Sequence, residues 1–542
     1  MKHLLRAQRS PESFAGLTTV LLLAAAFVWV TFGESFLRGQ STFWQTDAQD
    51  ITQYMAGFNL YFSAPWQHPL LAFNSLNYPE GTRATFVDII PLYALFLKIV
   101  VPSTWAPFNP YGAWVGVCFV LQAIGAWWVA RELRSGSWAF MLGLLALMLM
   151  TPALLNRIGH ISLMSHWILV FAIALYLRGW RRKAIPMAGW ILLLTSAFYI
   201  NIYLFVMAVG VYAAAAVSLM QARGVRYWLH VSGPLWVLLI SLPLTLLPLP
   251  QGGVTQEWGF GYYSMNVLSP FIGGRIIQLT AEVGPGQYEG FNYLGLGLIS
   301  GLVLAYSNSA NRTHIHRMLR GHWALTLLIL GYSVYSLSNQ IYIGSTQVAT
   351  VSYPDLTKAL TSQFRVSGRF FWPVFYVLLI GVWWTLFHRN GKLRFLFIAL
   401  ALTAVQMADL TGVYASLQSI LTRPAERHLQ PAVWDAAIPA HVKNLYFYPK
   451  FKCGKTPSHD SLLPVMHYAS LRGLNLNTGY ISRYTPLCDD MAREIASSAP
   501  QESAYVFVRK EFPGVETIKP VLPDSSTACH EVDFAYICVT PR

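Results

Sequence analysis

Leu17-Thr18-Thr19-Val20-Leu21-Leu22-Leu23-Ala24-Ala25-Ala26-Phe27-Val28-Trp29-Val30-Thr31-Phe32 is an unbroken run without a charged residue, and Lys2, Arg6 and Arg9 stand just ahead of it. Such a run is a helix whose solvent is hydrocarbon, because in lipid a single segment satisfies every backbone N–H and C=O only as a helix. The residues that follow, Gly33-Glu34-Ser35-Phe36-Leu37-Arg38, offer no small-residue cleavage site. The run is therefore expected to stay as an uncleaved helix rather than leave as a signal peptide.

Blocks of the same character return near 113–130, 138–154, 163–178, 187–201, 203–220, 229–248, 291–306, 322–337, 371–387 and 395–411. Together they predict an α-helical polytopic membrane protein with about 11 transmembrane helices. Composition agrees: 54% of residues are hydrophobic and only 11% charged, against about 25% charged in soluble domains. A shorter run, Ile89 to Val101, falls below the roughly 20 residues a span needs and reads as an in-plane or re-entrant helix.

The linkers alternate in charge. Arg131/Arg134, Arg178/Arg181/Arg182/Lys183, Arg223/Arg226, Arg312/Arg317/Arg320 and Arg389/Lys392/Arg394 mark one side, the cytoplasmic one by the positive-inside rule. Loops 34–112, 155–165, 249–290 and 338–370 carry few basic residues and read as outward-facing. An odd number of spans then places the N-terminus inside and the tail outside. The net charge of +14 is accounted for by these loops, so membrane lipids are the expected partner and nucleic acid is not.

Two domains follow: a transmembrane domain over 1–412 and an extracytoplasmic α/β domain over 413–542. In the second, Val442 to Pro449, Ala504 to Arg509 and Asp533 to Val539 read as strands, and Asp460 to Arg472 and Asp489 to Ser498 as helices. Four of the five cysteines, Cys453, Cys488, Cys529 and Cys538, fall there. An even number in one polar domain predicts two disulfides and an oxidising compartment; a zinc site would want a CxxC pair, and none exists. Cys529 and Cys538 have the spacing of facing positions on a hairpin. Cys118 lies inside an apolar block and reads as a small core residue.

The stretch with the most chemistry is Trp44-Gln45-Thr46-Asp47-Ala48-Gln49-Asp50-Ile51-Thr52-Gln53-Tyr54. Asp47, Asp50 and Tyr54 are spaced three and four apart, which on a helix gives one face. A carboxylate just above the bilayer can serve as general base for an acceptor hydroxyl or amine. The competing reading is a solvated helix start with Asp47 as its N-cap. No Walker motif, Gly-x-Ser-x-Gly, HExxH or dinucleotide fingerprint occurs.

The loop continues through Pro65-Trp66-Gln67-His68-Pro69-Leu70 and Tyr78-Pro79-Glu80-Gly81-Thr82 to Asp88-Ile89-Ile90-Pro91-Leu92. With it go Asp50-x-x-Gln53-x-x-x-Gly57-Phe58, Gly159-His160 through His166-Trp167, Phe364-Arg365 through Gly368-Arg369-Phe370-Phe371-Trp372-Pro373, and Asn477-Thr478-Gly479-Tyr480-Ile481-Ser482-Arg483-Tyr484. In this order the stretches resemble the GT-C superfamily, membrane glycosyltransferases that use polyprenyl-phosphate-linked sugars, and within it a bacterial family of GT-C-type proteins.

The resemblance implies a GT-C-like fold in a bacterial inner (plasma) membrane with the tail periplasmic. It also implies inverting transfer of a sugar from a polyprenyl-phosphate-linked donor to a glycan or lipid acceptor. An acid of the first outer loop would be the base; the match falls on Asp50, with Asp47 as its neighbour. Gln53, Tyr54, His68 and Asp88 would line the substrate. The leaving phosphate needs cations aimed at it: Arg365 and Arg369, four apart on one helix face, with Arg157 and His160 from loop 155–165. Snorkelling to lipid phosphates is the bland reading of that arginine pair. Trp258 and Tyr262 offer aromatic walls for sugar or isoprenoid, or else anchor the interface.

Several GT-C families place metal-binding acids in the second outer loop. This sequence has none there, although His160 and His166 offer imidazoles, so a divalent cation stays open and no other cofactor is implied. Glu257, Glu289 and Asp355 are reserve acids. Two rival functions need different features. A lipid-linked saccharide transporter or flippase would want ionisable residues deep within spans; an envelope-assembly protein would tolerate replacement of every outer acid.

Overall fold

A computed structural model of the chain describes residues 11–220, 224–250, 257–276, 286–455 and 459–541. Lys2, Arg6, Arg9, Arg223 and the Gly284-Pro285 end of the second long loop lie outside the described residues. The chain is mostly helical. Five stretches are long and apolar enough to cross a membrane: Phe14–Gln45, Tyr111–Glu132, Trp138–Leu155, Ile161–Arg182 and Ser367–Arg389. Two bent pairs, Val225–Val231 with Gly233–Thr245 and Lys392–Asp409 with Thr411–Thr422, raise the number to as many as seven.

The remaining apolar blocks form shorter helices, and the reasons are local. The block pair near 187–220 is cut at Asn201, whose side chain accepts from the N–H groups of Tyr203 and Leu204 and so starts a new helix. Pro234 and Ser232 mark the bend of the first pair. The block near 291–306 becomes helical only at Leu296, because Gly295 sits at φ +82°.

In chain order the principal helices are α1 (Phe14–Leu37), α2 (Asp50–Ser63), α3 (Pro91–Val100), α4 (Tyr111–Glu132), α5 (Trp138–Leu149), α6 (Trp167–Arg182), α7 (Met187–Ile200) and α8 (Ile202–Ser218). They continue as α9 (Gly233–Thr245), α10 (Leu296–Ser307), α11 (Ser309–Gly321), α12 (Trp323–Leu337), α13 (Trp372–Arg389), α14 (Lys392–Asp409) and α15 (Thr411–Thr422). Helix α4 packs between α1 and α6, α6 packs on α8, and α10 packs on α13 and α14. The outward faces stay apolar: Leu22, Val30, Leu235, Ile240, Leu327 and Leu400 are exposed. Water penalises such a surface and a bilayer does not.

Helix α3 is the short run after Asp88. Pro91 occupies its first turn, Ile90 before it is left-handed, and Lys98 at its far end donates to the carbonyls of Tyr61 and Ala64. Ten residues cover about 15 Å, half a bilayer.

The tail is a small α/β unit. Strands β5 (Asn444–Tyr448), β6 (Asn475–Leu476), β7 (Ser503–Val508), β8 (Ala528–Val532) and β9 (Ala535–Val539) form one sheet in the order β6-β5-β7-β9-β8. They follow four short strands of the loops, β1 (Ala72–Phe73), β2 (Thr82–Arg83), β3 (Gln340–Ile343) and β4 (Thr346–Thr350). β5 pairs in parallel with both neighbours, while β9 is antiparallel to β7 and β8. The helices α16 (His459–Arg472) and α17 (Met491–Ser497) stand where the sequence places them. Both disulfides form: Cys529–Cys538 joins register partners of β8 and β9, and Cys453–Cys488 clamps the loop after β5 to the approach to α17. Cys118 is free and buried.

The unit is docked on loop 34–112 rather than tethered beside it. Leu476 N–H donates to the Ser75 carbonyl, Tyr78 N–H donates to the Leu476 carbonyl, and α16 lies on α2. The ends of β5 and β6 thereby face the start of α2, with the rings of Phe451 and Tyr480 4.7 Å apart.

Candidate functional site

Four loop segments meet at the start of α2, and their centre is Glu289. The acid sits in the short turn Gln287–Gly290. Backbones pack there at a separation that admits no side chain: a Cβ on Gly368 would lie 2.6 Å from Gly290 Cα, and one on Gly290 would lie 2.2 Å from the Ser264 carbonyl oxygen. The Asn292 amide donates to the carbonyls of Gly290 and Gly368, locking the two turns together.

That contact brings two arginines from distant loops onto one carboxylate. Arg157 Nη1 and Arg369 Nη2 each donate to Glu289 Oε2 at 2.9 Å, and Arg157 Nη2 donates to the carbonyls of Tyr288 and Glu289. The three side chains are buried. Burial alone would raise the Glu289 carboxyl, but Arg369, the His160 hydrogen bond and Arg157 outweigh it and hold the group far below the usual carboxylate range. Glu289 is therefore an anion at every ordinary pH.

His160 carries the arrangement outward. Its Nε2 lies 3.1 Å from Glu289 Oε1, and its Nδ1 lies 3.6 Å from Asp50 Oδ2. With Glu289 fixed as acceptor, neutral His160 holds its proton on Nε2 and turns the Nδ1 lone pair toward Asp50; protonated, it bridges both acids. Asp50, first residue of α2, is 41% exposed at its side chain. It is the member of the chain that a substrate can reach.

Asp88 faces solvent from a left-handed position just before α3. The protein around it and the Asp50 charge raise its carboxyl, against the pull of His160, Arg483 and Arg369. Tyr54 is buried one turn along α2, its hydroxyl 2.9 Å from Ser162 Oγ, which also accepts from the Asn201 amide. Burial, with Asp88 adding to it, pushes the Tyr54 phenol far above its ordinary value, so it remains a neutral strut between α2 and loop 155–165. Gln53 donates to the Tyr480 carbonyl and ties the same turn of α2 to the tail.

Several expected placements change. Asp47 does not share a face with Asp50 and Tyr54, because α2 begins only at Asp50 with Gln49 as its N-cap. The buried Asp47 carboxylate instead accepts from the backbone N–H groups of His428 and Leu429 and faces His428 Nδ1 at 3.1 Å.

Arg365 and Arg369 do not form a pair on one helix face. The helix breaks at Phe364, and Ser367–Phe371 is a tight 3-10 turn. Arg369 turns inward to Glu289, whereas Arg365 donates to the Trp258 carbonyl and lies 4.0 Å from Glu257. Arg157 and Arg369, expected as phosphate contacts, are committed to Glu289. His68 is exposed at a cis peptide bond with Pro69, and among the described residues no hydrogen bond or ion pair joins it to the Asp50–His160–Glu289 chain.

Trp258 and Tyr262 cluster with Tyr263, whose ring lies under Arg365 at 5.5 Å. His166, the other imidazole of loop 155–165, is buried against Tyr376. Among the described residues no group of three or more His, Cys, Asp or Glu side chains is placed to hold a metal ion.

Two contributors were missed in the sequence. Glu289 counted only as a reserve acid, yet two arginines demand a carboxylate partner once buried. Arg483 lies in a stretch matched for resemblance alone; it is half-buried, its backbone is left-handed, and it donates to the Gln363 carbonyl. Its signal is a cation three residues after Tyr480, in a turn of the segment that follows β6.

Residues 21–411 match the family model described as Domain of unknown function (DUF6311), and residues 433–540 match the DUF6311 C-terminal domain. No curated protein matches the chain. The two matches follow the helical part and the sheet unit in order, and the chain belongs to the DUF6311 family.

Proposed function

We propose that this protein is a GT-C-type membrane glycosyltransferase that moves a sugar from a polyprenyl-phosphate donor to an outward-facing glycan or lipid acceptor with inversion. The observation that carries the reading is Asp50: an accessible carboxylate at a helix start, backed by His160 and by a Glu289 that two arginines keep ionised. Four of the shorter apolar helices, α7, α8, α10 and α12, join the seven longer candidates as spans in this reading, giving 11 with α3 as an in-plane segment. The basic loops then face the cytoplasm, and the disulfide-bonded tail faces the periplasm.

In the reaction the acceptor O–H gives its proton to Asp50 as its oxygen bonds to the sugar C1. The C1–O bond to phosphate breaks from the opposite side, and polyprenyl phosphate leaves with that electron pair. His160 Nδ1 is the next stop for the proton, with Glu289 stabilising the imidazolium. Arg157 and Arg369 are positioning residues for Glu289. The guanidiniums left near the surface, Arg365 and Arg483, are better suited to the leaving phosphate. Trp258, Tyr262 and Tyr263 form an apolar wall beside Arg365, where the isoprenoid meets its phosphate.

The test is transfer by the purified full chain from a panel of polyprenyl-phosphate sugars, comparing wild type with Asp50→Asn at equal abundance. General-base loss should cost about 10²- to 10⁴-fold. Full activity in Asp50→Asn removes Asp50 as base; no transfer by wild type from any donor removes the reaction.

A further inference from the structure

A second site lies at the other end of the helices. Between α6, α11, α12 and α13 is a cavity of about 320 Å³, within the range of small-molecule sites. Its walls are apolar: Ile173, Leu177, Leu325, Ile329, Val377 and Ile380 line it. Gly381 keeps one wall open, since a Cβ there would meet only the Met318 Cε tip, at 3.4 Å. Gly381 stands twelve positions beyond Arg369 along the chain, roughly 18 Å of helix, so the cavity is remote from Asp50 and borders the basic loops.

The polar part of the lining combines Tyr176 and Thr326 with cationic and imidazole side chains, and the Tyr176 hydroxyl lies 2.9 Å from His322 Nδ1. Arg317, His314 and His322 line the cavity. The His322 ring lies tilted against Trp180 at 4.3 Å, and Lys183 lies over the same indole at 4.3 Å. His314 Nε2 is buried and makes no hydrogen bond among the described residues, although buried polar atoms ordinarily find one. Glu132, the acid beside the lining residue Leu133, is already ion-paired with Arg181. The rim thus offers positive charge and an unused imidazole nitrogen above an aliphatic hollow.

We propose that this cavity seats one anionic phospholipid. One acyl chain would lie between α6, α12 and α13, and the phosphate would lie at Arg317 and His314. The match is of charge as well as shape: the arginine and imidazole meet the phosphate, and the aliphatic side chains meet the tail. The inference rests on α6, α12 and α13 lying in a bilayer and is independent of glycosyl transfer.

Native mass spectrometry of the delipidated full chain tests it, with phosphatidylglycerol or phosphatidylcholine of identical acyl chains as probe and inorganic phosphate in a third arm. Wild type should bind a first phosphatidylglycerol about tenfold more tightly than phosphatidylcholine, because both present a phosphate but only the choline headgroup brings a cation up to Arg317. Arg317→Gln should abolish that preference. Gly381→Leu should weaken the first lipid of either kind, with Val377→Trp as a second filling variant where Gly381→Leu fails to fold and Gly381→Ala as the tolerated control. Equal lipid binding by wild type and a folded filling variant overturns the site. So does indifference to headgroup charge, and so does inorganic phosphate displacing the lipid completely.

Discussion

Glu289→Gln is the most informative change in the molecule. It keeps the shape of the side chain and removes one charge from between Arg157 and Arg369. The carboxylate is 6% exposed at its side chain and accepts from both guanidiniums, so solvent cannot replace it. Removing one partner of a buried ion pair costs about 3–5 kcal/mol, because the remaining charge is left uncompensated, and here two charges are left. At about 2–4 °C per kcal/mol for mid-sized domains, and less for a chain of 542 residues, the apparent melting point should fall by about 5–10 °C. The assay is tryptophan fluorescence of the purified protein at one fixed scan rate, with the exposed Asp355→Asn as a control expected to change nothing. The double variant Glu289→Gln/Arg157→Gln should lose at least about 1 kcal/mol less than the two single changes summed, as residues in one network do. A Glu289→Gln protein that melts within about 1 °C of wild type, or a strictly additive double, would refute the ion-pair account.

Other expectations follow from the same geometry. Because the folded Glu289 carboxyl is depressed below its unfolded value, its stabilisation is complete above about pH 5 and is lost progressively as pH falls from there through the lower folded value. A melting-point series from pH 7 down to pH 3 should show this contribution unchanged to about pH 5. Asp88 has the opposite sign: its raised carboxyl makes ionisation unfavourable, so stability drops as pH rises past the ordinary carboxylate range. Because Asp88 is exposed, water screens most of this penalty, so Asp88→Asn should melt only slightly above wild type at pH 8 and coincide with it at pH 4, and a lower melting point at pH 8 would sink that reading. Cys453→Ser with Cys488→Ser opens a 35-residue connection and should destabilise the sheet unit by about 3–4 kcal/mol, read as faster proteolysis within residues 440–540.

The membrane-like helices and the tail were legible because they rest on periodicity and composition, which neighbouring residues carry themselves. Each long apolar block became a helix, and Cys529 and Cys538 face each other across a hairpin, as their spacing suggests. The span lengths were less legible. Asn201 looks like an ordinary polar residue until its side chain is seen capping the helix it begins. The candidate site was legible in one half only. Asp50 and His160 could be picked out from their loops. Their link through Glu289 depends on Gly290 meeting Gly368, a contact between segments far apart in sequence that no local pattern encodes. Arg365 and Arg369 show the converse error: a four-residue spacing implies a shared face only within one continuous helix, and here the helix ends at Phe364, before both.

The two acids of the first loop offer the sharpest discrimination. Asp47 and Asp50 are equivalent by type and neighbourhood, yet the fold uses them differently. Asp47 spends its carboxylate on the N–H groups of His428 and Leu429, where the chain leaves α15 for the sheet unit, and its own N–H donates to the Glu426 carbonyl. Asp47→Asn keeps one acceptor and turns an amide N–H₂ against a backbone donor, a mismatch worth about 1–3 kcal/mol. The strain falls on the linker, so hydrogen exchange over 425–432 should quicken by about 5- to 100-fold. Glycosyl transfer should survive wherever the tail stays docked. Asp50 faces His160 instead, so Asp50→Asn should leave exchange at 425–432 unchanged while removing transfer. If Asp47→Asn silenced transfer with the linker exchange unaltered, Asp47 would be the base, and the proton path through His160 would have to be abandoned.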